Sequence, residues 1–85
     1  SSVYLRGKEI LFTDTEYQIL CLLASNRKKV FSVQAIYETV WKETYYIASN
    51  NTVTVHIRNI RKKIEDDVQK PEYIKTVWGR GYRIE

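Results

Sequence analysis

Four apolar residues, Val53, Ile57, Ile60 and Ile64, recur at the spacing i, i+4, i+7, i+11 within the stretch Asn50–Ile64, NNTVTVHIRNIRKKI. That spacing decides between two structures. The first half, TVTVHI, alternates β-branched and polar residues as a half-buried strand does, whereas the second half, IRNIRKKI, spaces its isoleucines as a helix does. On a helix the four apolar side chains fall within about 60° of one another, which is a complete stripe for a core. A strand leaves Ile60 and Ile64 without a role and is too short to stand alone. The β-branched residues each cost about 0.3–0.6 kcal/mol against alanine in a helix. Burial of four such side chains, at roughly 1.5–3 kcal/mol each, outweighs that cost. The spacing therefore predicts a helix over Asn51–Glu65, capped by Asn50 or Ser49.

Such a helix needs a body to pack on, and the flanking sequence supplies one. Val3–Phe12, VYLRGKEILF, is two short apolar runs about Arg6-Gly7-Lys8 and reads as a β-hairpin, with Gly7 free to take a positive φ. Thr13 opens a helix. Thr13 and Glu16 form a capping box, Phe12 staples onto Tyr17, and Asp14 and Glu16 suit the positive end of the helix dipole. The expected apolar stripe is Tyr17, Leu20, Leu23 and Ala24, widened by Ile19 and Leu22, with Asn26 just beyond the helix end. Arg27-Lys28-Lys29 reads as a solvated loop. Ser32 caps a second helix, stapled through Phe31 and Ile36, whose face is Ile36, Tyr37, Val40 and Trp41 and which ends near Lys42. Lys42–Asn50, KETYYIASN, has no period and is expected to be a loop, an unusually apolar one because of Tyr45, Tyr46 and Ile47. After a polar break at Asp66–Pro71, Tyr73–Glu85 reads as a second hairpin with the basic tip Gly79-Arg80-Gly81. The order is β-hairpin, three helices, β-hairpin, an α+β fold.

Length and charge narrow the functions open to this fold. A chain of 85 residues is one domain, burying about 60–65% of its unfolded surface. Its 44% hydrophobic and 28% charged residues describe a folded globule. A net charge of +4 points to an anionic partner such as nucleic acid or a membrane surface. No apolar run approaches the 18 residues of a membrane span, and no secretory signal is visible. Ser1-Ser2 does not read as a natural start, so the chain is expected to be part of a longer protein. The one cysteine, Cys21, lies in QILCLLA, reads as a buried apolar residue and fits a reducing compartment. His56, the one histidine, has no cysteine, histidine or carboxylate cluster around it. No Gly-rich phosphate loop or paired carboxylate occurs. Neither a metal, a cofactor nor an enzymatic activity is expected.

The expected third helix has a second face. Opposite its isoleucine stripe lie Asn51, Val55, Arg58 and Lys62, flanked by Thr52 and Asn59 on one side and Thr54 and Arg61 on the other. A solvated face is the ordinary fate of such charge. However, no acidic residue stands three or four positions from Arg58, so intrahelical ion pairing is not its purpose. Amide, hydroxyl and methyl groups among cations are what a surface reading base edges between phosphates requires. Val55 is either a scattered surface valine or an apolar contact such as one to a thymine methyl group. Downstream, Arg80 at the hairpin tip, with Lys75 and Arg83 in the arms, is placed to enter a minor groove or to meet a phosphate. Two other readings remain open at this level: a module docking an acidic protein partner, and an RNA-binding module, which lacks an aromatic-bearing sheet signature.

This order of elements is that of a winged helix-turn-helix. The segments LFTDTEYQIL, VFSVQAIYETVW, TVTVHIRNIRKKIE and YIKTVWGRGYRIE together resemble, from Val3 to Glu85, the effector domain of bacterial two-component response regulators of the OmpR/PhoB type. The resemblance implies a single winged-helix domain over 3–85, with the phosphorylated receiver outside this chain. It implies a truncated N-terminal sheet, since the family usually has four strands there. It places helix 51–65 in the major groove of double-stranded DNA and hairpin 73–84 as the wing on the minor groove or backbone. Its implied DNA-binding residues are Asn51, Thr52, Thr54, Val55, His56, Arg58, Asn59, Arg61, Lys62, Thr76 and Arg80. Thr54, Val55, Arg58 and Asn59 are the expected base contacts. It further implies that the loop with Lys42, Glu43, Thr44, Tyr45 and Tyr46 contacts RNA polymerase. Two domains would sit head-to-tail on direct repeats, and a sensor kinase would act on the receiver, in the cytoplasm. Asn51, Asn59 and Trp78 stand where relatives often have arginine. Asn59 is suited to adenine rather than guanine, and Arg80 is left to supply the wing's charge.

Overall fold

A computed structural model describes residues 1–85. Seven elements follow one another: β1 (Ser2–Leu5), β2 (Lys8–Leu11), α1 (Asp14–Ala24), α2 (Val33–Trp41), α3 (Ser49–Ile64), β3 (Ile74–Val77) and β4 (Gly81–Ile84). β1 and β2 form one antiparallel hairpin, with Val3 opposite Ile10, and β3 and β4 form the other, with Thr76 opposite Tyr82. The first hairpin turns on Arg6 and Gly7, both at positive φ (50° and 78°), the primed turn that matches strand twist.

The helix starts follow the sequence chemistry. The Thr13 hydroxyl accepts from the Glu16 N–H and the Glu16 carboxylate accepts from the Thr13 N–H, which completes the capping box. Ser32 accepts from the Ala35 N–H at the start of α2. α3 departs from expectation. Its N-cap is Ala48, with no side-chain cap, and Ser49 is the first helical residue, fully buried, its Oγ turned back to accept the N–H of Tyr46. Neither Ser49 nor Asn50 caps the helix, because the loop uses the serine hydroxyl to close its own turn. The loop thus ends at Ala48, and at the other end Glu65 is extended and stands outside α3.

The core forms where the three helices meet. Val53, Ile57, Ile60 and Ile64 of α3 are all buried and pack with Ile19 and Leu23 of α1, Ile36 and Tyr37 of α2, and Ile74 of β3. The α1 stripe is rotated from its expected centre: Glu16, Ile19 and Leu23 face inward, whereas Tyr17 and Leu20 are half-buried and Ala24 is exposed. Glu16 tolerates that position because its carboxylate is capped and accepts the Lys63 ammonium at 2.6 Å. β4 is tied to the body by two hydrogen bonds between Phe31 and Tyr82, both 2.9 Å, a single-residue β-bridge at the edge of the two-stranded wing.

Candidate nucleic-acid interface

The stripe that anchors α3 dictates what its other face can do. Sixteen residues of helix span roughly 24 Å. With the isoleucines buried, Asn51, Arg58 and Lys62 are exposed, and Thr52, Thr54, Val55 and Asn59 are half-exposed. Val55 does not join the partly buried side chains that pack on the core. Arg58 and Lys62 have no ion-pair partner, the ion pairs of the chain being Arg6–Asp66, Lys63–Glu16 and Arg83–Glu85. Thr54 donates its hydroxyl to the Asn51 carbonyl at 3.1 Å and keeps acceptor capacity toward solvent. No acidic residue occupies the first turn of α3. The face is an uncompensated set of cations, amides, hydroxyls and one apolar side chain, Val55.

Two residues of the expected interface have structural partners. His56 is half-buried, with its ring edge-on to Trp41 at 5.1 Å. Its Nδ1 lies 2.8 Å from the Thr52 carbonyl, so Nδ1 carries the proton and Nε2 is left for another partner. Arg61 turns toward the wing, donating from Nη2 to the Ile74 carbonyl and to Thr76 Oγ1, each at 2.8 Å, with its guanidinium over the Tyr82 ring at 5.5 Å. Burial pushes the Arg61 guanidinium below the usual arginine range while Tyr82 and Glu65 pull the other way. It remains charged at neutral pH. Arg61 and Thr76, expected to contact phosphate or to position the helix, form the clasp between α3 and β3.

A second clasp was not legible as a site. Glu65 is buried, and its carboxylate accepts the backbone N–H groups of Glu72, Tyr73 and Ile74 at 2.7–3.1 Å. Its sequence neighbours Asp66 and Asp67 are ordinary exposed loop residues, and only the fold distinguishes Glu65 from them. Together the clasps set the wing beside α3. An open cleft of about 500 Å³ runs between them, bordered by Asn50, Thr54, Thr76, Trp78, Arg80 and Tyr82. Arg80 is exposed at the tip. In the loop before α3, Lys42, Glu43, Thr44 and Tyr46 are exposed and Tyr45 is half-buried. The loop is held to α2 by Glu43 accepting from Tyr37 and Glu38 accepting from the Tyr45 N–H.

Three helices with a clasped wing, one helix presenting a basic polar face outward, define a winged helix-turn-helix of the kind found in transcription regulators. The chain belongs to the family described as "Transcriptional regulatory protein, C terminal", whose pattern matches residues 7–84. It is 57% identical over 84 residues to the transcriptional regulatory protein YrkP of Bacillus subtilis (strain 168), covering 99% of this chain and 36% of that one. It superposes on the Thermotoga maritima response regulator DrrB, an OmpR/PhoB homologue, with a TM-score of 0.87 and 41% identity, covering 98% of this chain and 37% of that one. With the Klebsiella pneumoniae RstA DNA-binding domain, solved in complex with the RstA box, the TM-score is 0.88 at 28% identity, covering 98% and 81%. The chain spans about a third of the length of the curated relatives it matches. The family is one of response-regulator output domains with the OmpR/PhoB winged-helix fold.

Proposed function

We propose that this chain binds double-stranded DNA sequence-specifically, as the output domain of a two-component response regulator. α3 lies in the major groove and the β3–β4 wing lies on the minor groove or backbone. The observation that carries this reading is the α3 face itself: unpaired Arg58 and Lys62 interleaved with Asn51, Thr54, Val55 and Asn59, on a helix whose orientation is fixed by a buried opposite stripe. Arg58 and Asn59 carry the groups that read guanine and adenine edges, Thr54 a hydroxyl suited to either, and Val55 a thymine methyl contact. Lys62, Thr52 and Arg80 meet phosphates, His56, held to the Thr52 carbonyl, positions the helix, and Asn51 meets a base or a phosphate. Arg61 and Thr76 meet the backbone from the clasp between α3 and wing.

In the longer protein, a receiver domain under a sensor kinase controls pairing of two such domains, 3–85 in each, head-to-tail on direct repeats. The loop Lys42–Tyr46 offers exposed side chains, Glu43, Thr44 and Tyr46 among them, to RNA polymerase. The setting is the cytoplasm. Repeated selection from a randomised duplex library, followed by gel shift against random duplex, tests the reading. Enrichment of a defined repeated sequence is expected. Failure to shift any duplex at low salt would overturn it in favour of an acidic protein partner.

A further inference from the structure

Trp78 is the most exposed large apolar side chain of the protein, 90% open to solvent at the wing tip. An indole in that position leaves most of the roughly 150–250 Å² that an aromatic ring usually buries in contact with water. The turn does not require it. Gly79 supplies the positive φ (75°), and the Arg80 N–H donates to the Val77 carbonyl to close the turn. Nor is the tip loosely placed. Arg61 holds β3 at Ile74 and Thr76, and Phe31 holds β4 at Tyr82, so the strands that carry the indole are held relative to the reading face of α3. It borders the same cleft as Asn50 and Thr54, beside the exposed, ion-pair-free Arg80.

We propose that Trp78 is a specificity residue that packs in the DNA minor groove next to the site read by α3 and selects A·T over G·C pairs there. The inference rests on the DNA-binding function proposed above. The chemistry is that of a donor-only indole. Its Nε1–H has acceptors at adenine N3 and thymine O2, whereas the guanine N2 amino group offers a donor that the indole cannot satisfy and an obstruction to its ring. The groove is about 6 Å wide, with sugar walls that suit a flat apolar ring, and A·T-rich tracts narrow it and draw in a neighbouring arginine. Charge complementarity comes from Arg80 and apolar complementarity from Trp78, two properties that sugar walls rimmed by phosphates match together.

The test uses duplexes that the chain itself selects from a randomised library, with Trp41→Phe as background so that Trp78 is the single tryptophan. Acrylamide quenching of Trp78 should fall several-fold on binding. Replacing the wing-side A·T pairs by G·C should weaken binding about tenfold, in line with an aromatic–base contact. Inosine·cytosine pairs, which lack the minor-groove amine, should restore it. Trp78→Ala should bind more weakly and no longer distinguish the three flanks. A Trp78 equally quenched in free and bound states, or a Trp78→Ala protein with wild-type affinity and flank dependence, overturns this inference while leaving the DNA-binding reading standing. No binding to any duplex overturns both.

Discussion

Truncating Glu65 to alanine tests the clasp that orients wing and helix. The carboxylate accepts three backbone N–H groups, from Glu72 at 2.7 Å, Tyr73 at 3.1 Å and Ile74 at 2.9 Å. Ile74 is fully buried, so its N–H has no water to turn to once the acceptor is gone, a loss of roughly 1–3 kcal/mol. The Glu72 and Tyr73 amides lie nearer the surface and rehydrate, each losing about 1 kcal/mol of charge-assisted bonding. The sum is about 3–5 kcal/mol, a large part of the roughly 4–13 kcal/mol that a domain of this size holds in total. Thermal unfolding followed by circular dichroism should show a fall of at least about 12 °C. Glu65→Gln keeps one acceptor oxygen and should fall in between. A Glu65→Ala protein within 1 kcal/mol of wild type in urea titration would refute the reasoning, because it would mean that the three amides are satisfied without the carboxylate.

Other expectations follow from the same geometry. Arg58→Ala should weaken binding to a selected duplex by about 1–3 kcal/mol while leaving random-duplex affinity nearly unchanged; an equal loss on both, measured by fluorescence anisotropy, would make Arg58 a backbone contact. Burial of Glu16 opposes its ionisation, but the Lys63 ammonium and the Thr13 N–H outweigh it and hold the carboxyl below the usual glutamate value. That pairing therefore stabilises the fold above about pH 4.3 and is lost as pH falls through the lowered folded value, so Glu16→Gln should flatten the acid limb of a stability–pH curve. A Cβ at Gly81 would lie 1.9 Å from the Phe31 carbonyl oxygen at φ 136°, so Gly81→Ala should strip the wing from the body, read as loss of protection of the Tyr82 amide in hydrogen exchange.

The fold was legible largely where one residue type had one physical use. The i, i+4, i+7, i+11 stripe placed α3, Thr13 and Ser32 placed the other two helix starts, and Gly7 and Gly79 marked the hairpin turns. Legibility failed where a side chain served a distant backbone. Ser49 is spent on Tyr46 rather than on capping, Glu65 on β3, and Arg61 on Ile74 and Thr76, and none of these partners is set by local spacing. The outward face of α3 could be traced from periodicity alone, because burying one side of a helix exposes the other. The prominence of Trp78 could not, since exposure at a turn depends on where the wing is clasped.

In the proposed function, the outward face of α3 and the wing tip neutralise DNA phosphates while reading bases. The dependence of affinity on salt, measured by fluorescence anisotropy on a selected duplex and on a scrambled one, tests it most directly. With about six phosphates neutralised, log K should fall against log salt with a slope near −5 on the selected duplex, and at fixed salt that duplex should bind at least a thousandfold tighter than the scrambled one. A slope near zero, or equal affinity for both duplexes, would contradict the account.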